Sequence, residues 1–218
     1  MNKLNNILSR YQIQQRTEEW YKIRQNMLTA SDVASALENN PYQKKSDLLI
    51  KKCIISDSNQ NYEIAPTETD AILWGIKYEP IACNIYSKIK NCNVHNLGLL
   101  THKNINWLGA SPDGITDDCI LVEIKCVWNR QIDDNLDYGH YYWIQCQIQL
   151  EVCDLEYCDL FECKFIEYNN VEDFMNDNKT IYKDFVSDDN GKITYWKLDK
   201  YVCHRIKRDI KWFEKNIQ

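Results

Sequence analysis

Glycine and proline are scarce in this chain of 218 residues, with six glycines and four prolines. The glycines are scattered and none sits in a G-x-x-x-x-G-K pattern, so the phosphate cradle of an ATP-driven motor is missing. A Gly-x-Ser-x-Gly nucleophile elbow is absent too. The four histidines, His95, His102, His140 and His204, show no metal-ligand spacing. No apolar run reaches the roughly 18 residues that a membrane span needs, and the opening "MNKLNNILSRYQIQQR" is too polar for a secretory signal. A soluble, intracellular protein without a membrane partner is expected, in a host cytoplasm or, for a virus, at its replication site. Positive charge is also in deficit: the formal net charge is −6 and the isoelectric point is about 5.3. A protein that simply coats nucleic acid is thereby excluded, and any DNA contact has to be local.

Cysteine is plentiful, with ten residues, but no C-x-x-C pair exists, and the nearest grouping, Cys153, Cys158 and Cys163, has no histidine beside it. That argues against zinc or an iron–sulfur cluster. Thiols spread over a chain of this length point to a reduced protein rather than a disulfide scaffold. The 44% hydrophobic content suffices for one core, and a single domain over residues 1–218 is expected.

The first third reads as helices. "TEEWYKIRQN" opens on Thr17 as an N-cap, carries acidic residues in its first turn, and spaces Trp20, Ile23 and Met27 helically. "TASDVASAL" begins a second helix, with Thr29 and Asp32 at capping-box spacing. After the polar break "SDSNQNYEIAPTETD", a helical pattern runs over 67–90, where Pro80 is expected to kink the helix or start a new one. Glu79 thus falls at an irregular point. From about residue 94 the apolar period becomes two, and "HNLGLLTH", "NWLGAS", "CILVEIKCVW" and "LEYCDLFECKF" read as strands. "DYGHYYWIQCQIQLEVCD", between the last two, reads as a helix. A hairpin around Asn190-Gly191 follows, then a helix over about 198–216. The sum is an α/β fold with a central mixed β-sheet flanked by helices.

The stretch "GASPDGITDDCILVEIKC", residues 109–126, carries the chemistry. Strand alternation places Glu123 and Lys125 on one face and Val122 and Ile124 on the other. A turn through "ITDDC" returns Asp113 to the side of Glu123. Two converging carboxylates repel unless a cation lies between them, and a hard divalent ion with oxygen ligands is the natural occupant. The Lys125 ammonium can orient or deprotonate a water and offset charge as a phosphodiester is displaced. The triplet alone is weak, since "ECK" at 162–164 and "DIK" at 209–211 share its form.

Asp113, Glu123 and Lys125 match the PD-(D/E)XK nuclease signature. The chain resembles the lambda exonuclease and YqaJ-type viral recombinase branch of that superfamily through "EEWYKIRQNMLTASDVA", "WGIKYEP", "ASPDG", "VEIKC" and "IQCQIQLEV", in order over about residues 17–155. The resemblance implies a restriction-endonuclease-like fold with a nuclease core over about 17–166 and a C-terminal hairpin and helix over about 185–216. It implies Glu79, Asp113 and Glu123 as metal ligands, with the Ile124 carbonyl as a further one, for Mg²⁺ with Mn²⁺ also accepted. Lys125 corresponds to the catalytic lysine, and Gln147 to a glutamine that helps position the lysine or the scissile end. Arg24 and Ser31 correspond to residues that contact a DNA 5′-phosphate.

The implied activity is a Mg²⁺-dependent exonuclease acting on double-stranded DNA ends from the 5′ side, in viral recombination or repair. Family members work with a single-strand annealing protein, and some form a homotrimer around DNA. A structure-specific or non-specific endonuclease remains open at this point, as does a non-catalytic DNA-end-binding protein. Two further features stay undecided between function and packing. "YYW" at 141–143 suits base stacking or core packing, and Arg205, Arg208 and Lys211 suit a DNA backbone or a solvated helix face.

Overall fold

The strand read from "CILVEIKCVW" lies at the centre of the molecule. The computed structural model describes residues 3–53 and 69–217. The polar break therefore lies almost wholly outside the described residues, as do positions 67 and 68 of the long helical pattern. In chain order the elements are α1 (Lys3–Leu8), α2 (Glu18–Gln25), β1 (Leu28–Thr29), α3 (Ala30–Ala36), α4 (Lys45–Cys53), α5 (Asp70–Lys90), β2 (Val94–His95), β3 (Leu100–Thr101) and β4 (Leu108–Ala110). They continue as β5 (Gly114–Thr116), β6 (Leu121–Val127), α6 (Tyr141–Cys153), β7 (Tyr157–Glu167), α7 (Val171–Asn176), β8 (Lys183–Ser187), β9 (Ile193–Lys207) and α8 (Ile210–Asn216).

A six-stranded sheet runs in the order β2-β5-β6-β7-β9-β8, and a smaller three-stranded sheet in the order β1-β4-β3. The large sheet is mixed: β6 and β7 pair in parallel, joined by the α6 crossover, and the other neighbours are antiparallel. Helices cover both faces, so β6 buries apolar residues on each. Leu121 joins a core with Ile144 and Ile148 of α6, while Val122 and Ile124 join a second core with Tyr78, Ala82 and Tyr86 of α5. Period-two alternation thus aims Glu123 and Lys125 at the α6 side. Cys126 and Cys163 are paired across β6 and β7 with sulfurs 3.9 Å apart, far beyond the ~2.05 Å of a disulfide.

The caps form as read. The Thr17 hydroxyl accepts from the Trp20 amide at 3.2 Å, and Asp32 accepts from the Thr29 amide at 3.3 Å and its hydroxyl at 2.6 Å. Two points of the sequence reading are resolved. First, of the two alternatives at Pro80 the start of a new helix falls away, since α5 runs through it for 21 residues, capped by Thr69. Pro80 leaves the Ile76 carbonyl without a helical donor, and Ile76 is exposed, so water can serve that acceptor. The buried side chains of Tyr78, Ala82 and Ile85 hold the helix on the sheet across the proline.

Second, residues 198–207 are strand rather than helix, and only Ile210–Asn216 is helical. β9 pairs with β7 along its length, with a register shift between Lys164 and Phe165, where Lys164 faces Lys200 and Phe165 faces Leu198. That bulge at Asp199 moves the alternation by one residue: Trp196 and Leu198 on one side of it, and Cys203 on the other, all join the α5-side core. Apolar residues on both parities mask the period of two. Arg205 and Arg208 are accordingly not on a helix face. Arg205 pairs with Asp159, and Arg208 with Glu151 and Asp154.

Asp159 is fully buried, accepts from the Tyr86 hydroxyl at 2.8 Å, and takes two donors from Arg205. Asp159→Ala strands a buried hydroxyl and unpairs a guanidinium that joins β7 to β9. Urea unfolding should show a loss of about 2–3 kcal/mol. An unchanged midpoint would mean that this network does not hold the sheet.

Candidate active site

β5 and β6 pair with Gly114 opposite Val122. Carried one residue outward, that register sets Asp113 across from Glu123. The Asp113 carboxylate accepts from the Ile124 amide at 2.6 Å. Glu123 has a side chain only 3% exposed, and a carboxylate so placed requires donors. It has three: Lys125 Nζ and Gln145 Nε2 both reach Oε1 at 2.5 Å, and Gln149 Nε2 reaches Oε2 at 2.6 Å.

Gln147 is not brought to this cluster, which corrects the sequence reading. Its amide donates to the Lys207 carbonyl at 2.8 Å and its oxygen accepts from the Asp209 amide at 2.7 Å, so it ties α6 to the β9–α8 junction. The reason is helical geometry. At about 3.6 residues per turn, Gln145 and Gln149 share a face and Gln147 lies on the opposite one. The i,i+4 pair in "IQCQIQ" was the signal that identifies the inward glutamines.

Glu79 stands on α5 across a cleft of about 490 Å³ that Asp113 and Ile124 also line. It is drawn to Arg16, whose Nη2 lies 2.6 Å from Oε2. Arg16 was not anticipated from sequence. It holds a left-handed backbone, φ 63°, immediately before the Thr17 cap, a conformation uncommon for a non-glycine residue. That turn directs its side chain toward α5.

The electrostatics follow from crowding. Burial first, then the charges of Glu123 and Glu79, push the Asp113 carboxyl well above the usual range. Burial also raises Glu79, against the opposing charge of Arg16. For Lys125, burial opposes the charged form, but Glu123, Tyr142 and Asp113 outweigh it and hold the group firmly protonated. In this arrangement Lys125 is a cation and donor rather than a base.

Arg24 and Ser31 do come together. Arg24 Nη2 donates to Ser31 Oγ at 3.1 Å, and the guanidinium lies 4.1 Å from the centre of the Trp20 ring. The Trp20 indole in turn donates to Ser111 Oγ at 3.0 Å, which links this pair to the "ASPDG" segment. Behind them, Lys52 pairs with Asp32 at 2.8 Å and caps the end of α2 through the carbonyls of Arg24 and Met27.

As a donor set, three carboxylates with an adjacent backbone carbonyl fit a hard divalent cation in kind. Among the described residues no three His, Cys, Asp or Glu side chains meet closely enough to hold an ion in the present arrangement. A cation held by these carboxylates would compete with Lys125 for Glu123 and with Arg16 for Glu79.

The sign of the pH effect is fixed by these shifts. A carboxyl raised in the folded state gives stability that is present below its unfolded value near 4 and is lost as pH rises through the folded value. Asp113→Asn keeps the acceptor for Ile124 and removes the charge. Without added metal it should stabilise the fold by about 1 kcal/mol at pH 7 and by nothing near pH 3. Differential scanning calorimetry at the two pH values checks this, and destabilisation at pH 7 would contradict it.

Among the described residues no helix is long and apolar enough to cross a membrane. The fold is shared with an alkaline exonuclease from Laribacter hongkongensis, at TM-score 0.59 and 23% identity over 91% of this chain and 86% of that one. It is shared too with a phage-related exonuclease from Haemophilus somnus, at TM-score 0.52 and 12% identity over 97% and 91%. By sequence, the chain is 32% identical to an uncharacterised protein of Acanthamoeba polyphaga mimivirus over 78% of its length, and 27% identical to a protein of African swine fever virus over 62%. It spans 33% and 45% of those two proteins. Residues 19–156, from the start of α2 to the start of β7, match the model of the YqaJ-like viral recombinase domain, and this chain belongs to that family.

Proposed function

We propose that the chain is a Mg²⁺-dependent deoxyribonuclease that degrades one strand of linear duplex DNA from a 5′ end, in the recombination or repair of viral DNA. The observation that carries this reading is the meeting of Asp113, Glu123 and Lys125 at paired strand ends, with Glu79 across the cleft. The Laribacter hongkongensis exonuclease is also known in complex with dAMP, a mononucleotide of the kind that exonucleolytic cutting releases.

Asp113, Glu123 and Glu79, with the Ile124 carbonyl, would hold the Mg²⁺ or Mn²⁺. When bound, such an ion polarises a phosphate and lowers the pKa of a coordinated water. Lys125, held as an ammonium, donates to the attacking water or to the phosphate oxygens and offsets their growing charge. Gln145 and Gln149 fix the Glu123 carboxylate so that its oxygens do not rotate away. Arg24 and Ser31 form a fork for a terminal phosphate, with Arg24 held flat on Trp20. Binding the 5′-phosphate at a fixed distance from Lys125 places the next phosphodiester for in-line attack. The resulting 3′ tail is a substrate for a strand-annealing partner, and a ring of three chains around the duplex would keep the enzyme on its track.

End-labelled linear duplexes with 5′-phosphate or 5′-hydroxyl ends, together with a closed circle, test this reading in Mg²⁺ and in EDTA. Mononucleotides should be released from the 5′-phosphorylated strand, with no cutting in EDTA. Lys125→Ala should lower the rate by about 10²-fold or more. Arg24→Ala should erase the preference for a 5′-phosphate while leaving slower cutting in place. Nicking of the circle would replace the exonuclease by an endonuclease, and binding to ends without cutting would leave an end-binding protein.

A further inference from the structure

Three tyrosine rings lead from solvent to the lysine of the candidate site. Tyr42, between α3 and α4, meets Tyr141 edge-on with ring centres 5.7 Å apart. Tyr141 lies 4.1 Å from Tyr142, and the Lys125 ammonium stands 4.9 Å from the centre of the Tyr142 ring. Arg130 approaches that same ring at 5.6 Å and is itself anchored by Glu162. The two ends of the row differ. Tyr141 and Tyr142 are half-buried against the core beneath α6, whereas Tyr42 is 75% exposed. Trp143, the third aromatic of "YYW", is buried in the core, whereas Tyr141 and Tyr142 pack against that core and stay only partly buried.

We propose that this row of tyrosines stacks the unpaired nucleobases of a DNA strand end whose backbone lies at Lys125. The proposal rests on the nuclease reading for its substrate and adds a base-binding surface to it. Its chemistry is complementary on both sides. The exposed Tyr42 ring offers a π-face that any base can stack on, and the half-buried Tyr141 continues the row inward, so end recognition would be indifferent to sequence. Lys125 and Arg130 at the inner end, and Lys44 and Lys45, two and three residues after Tyr42 in the chain, supply cations for the phosphates of the same strand. Duplex DNA buries its base faces in its own stack, so only a strand that has come apart from its complement can use the row. The surface would thereby hold the end open while the backbone reaches the carboxylates.

The test is a 5′-phosphorylated duplex with a frayed end of phosphorothioate linkages that stay intact, carrying 2-aminopurine at the unpaired positions. Binding to the full chain in Ca²⁺ should quench the 2-aminopurine fluorescence. The Tyr42→Ala/Tyr141→Leu variant should lose the quenching and bind about tenfold more weakly, while Tyr141→Phe retains both. Replacing the frayed nucleotides by abasic ones should weaken binding to the unmodified chain by a similar factor, and this arm decides the matter alone if the double variant misfolds. Equal affinity for abasic and normal ends, quenching unchanged in the double variant, or no binding of any end would overturn the proposal. Normal cutting with no quenching would remove the stacking surface and leave the nuclease. Quenching without any cutting in Mg²⁺ would keep the surface and remove the nuclease.

Discussion

A carboxylate buried between a central strand and the helix packed on it is the constraint on which the site depends. Glu123 sits where period-two alternation turns it into the α6 interface, and such a group is tolerated only when its oxygens are satisfied. The chain supplies a donor from two residues along the same strand, Lys125, and two from one turn-face of α6, Gln145 and Gln149. Much of the remaining layout serves this arrangement. α6 is nearly encased, so each of its glutamines must find a partner, and Gln147 finds its own at the far side, locking the helix against β9 and α8. The parallel pairing of β6 with β7 then fixes the height of Glu123 above the cleft.

Around that carboxylate, charge is unevenly shared. Burial first, and then their neighbouring charges, raise Asp113 and Glu79, while Lys125 and Arg16 stand close as counter-charges among the described residues. A cluster whose burial and crowding favour the protonated carboxyl is one that a divalent cation would stabilise. The cation–lysine competition at Glu123 also ties the protonation of Lys125 to ion binding. As long as Glu123 is its partner, Lys125 stays charged and can only donate. The Arg24–Ser31 pair is built on a different support, the Asp32–Lys52 pair and the α3 capping box. Under the proposed function, binding of an end and chemistry on it would therefore be held by separate parts of the fold.

Much of this was legible in the sequence where local and tertiary rules agree. The caps at Thr17 and Thr29, the strand that carries Glu123 and Lys125, the turn that returns Asp113, and the Asn190-Gly191 hairpin all follow from spacing. The misreadings arise where a local signal has two solutions. Three alternate glutamines on a helix look equivalent until the helix is given its rotation, which sends Gln147 away and Gln145 and Gln149 inward. β9 reads as helical because a bulge at Asp199 puts apolar residues on both parities of one strand. At Pro80 the rule allows a kink or a new start, and packing on the sheet is what carries the helix through. Arg16 had no sequence signal, since its role depends on a left-handed residue and on α5 lying opposite.

The central claim is that these carboxylates form a divalent-ion site beside Lys125. Crystals of the chain soaked in Mn²⁺ and measured for anomalous scattering test it most directly. The account predicts a peak bridging Asp113 and Glu123 at about 2.0–2.3 Å from their oxygens, with Glu79 turned toward it from Arg16. It also predicts loss of that peak in Asp113→Asn. Full Mn²⁺ occupancy elsewhere on the chain, with Lys125 still paired to Glu123 and no peak between the two carboxylates, would contradict it.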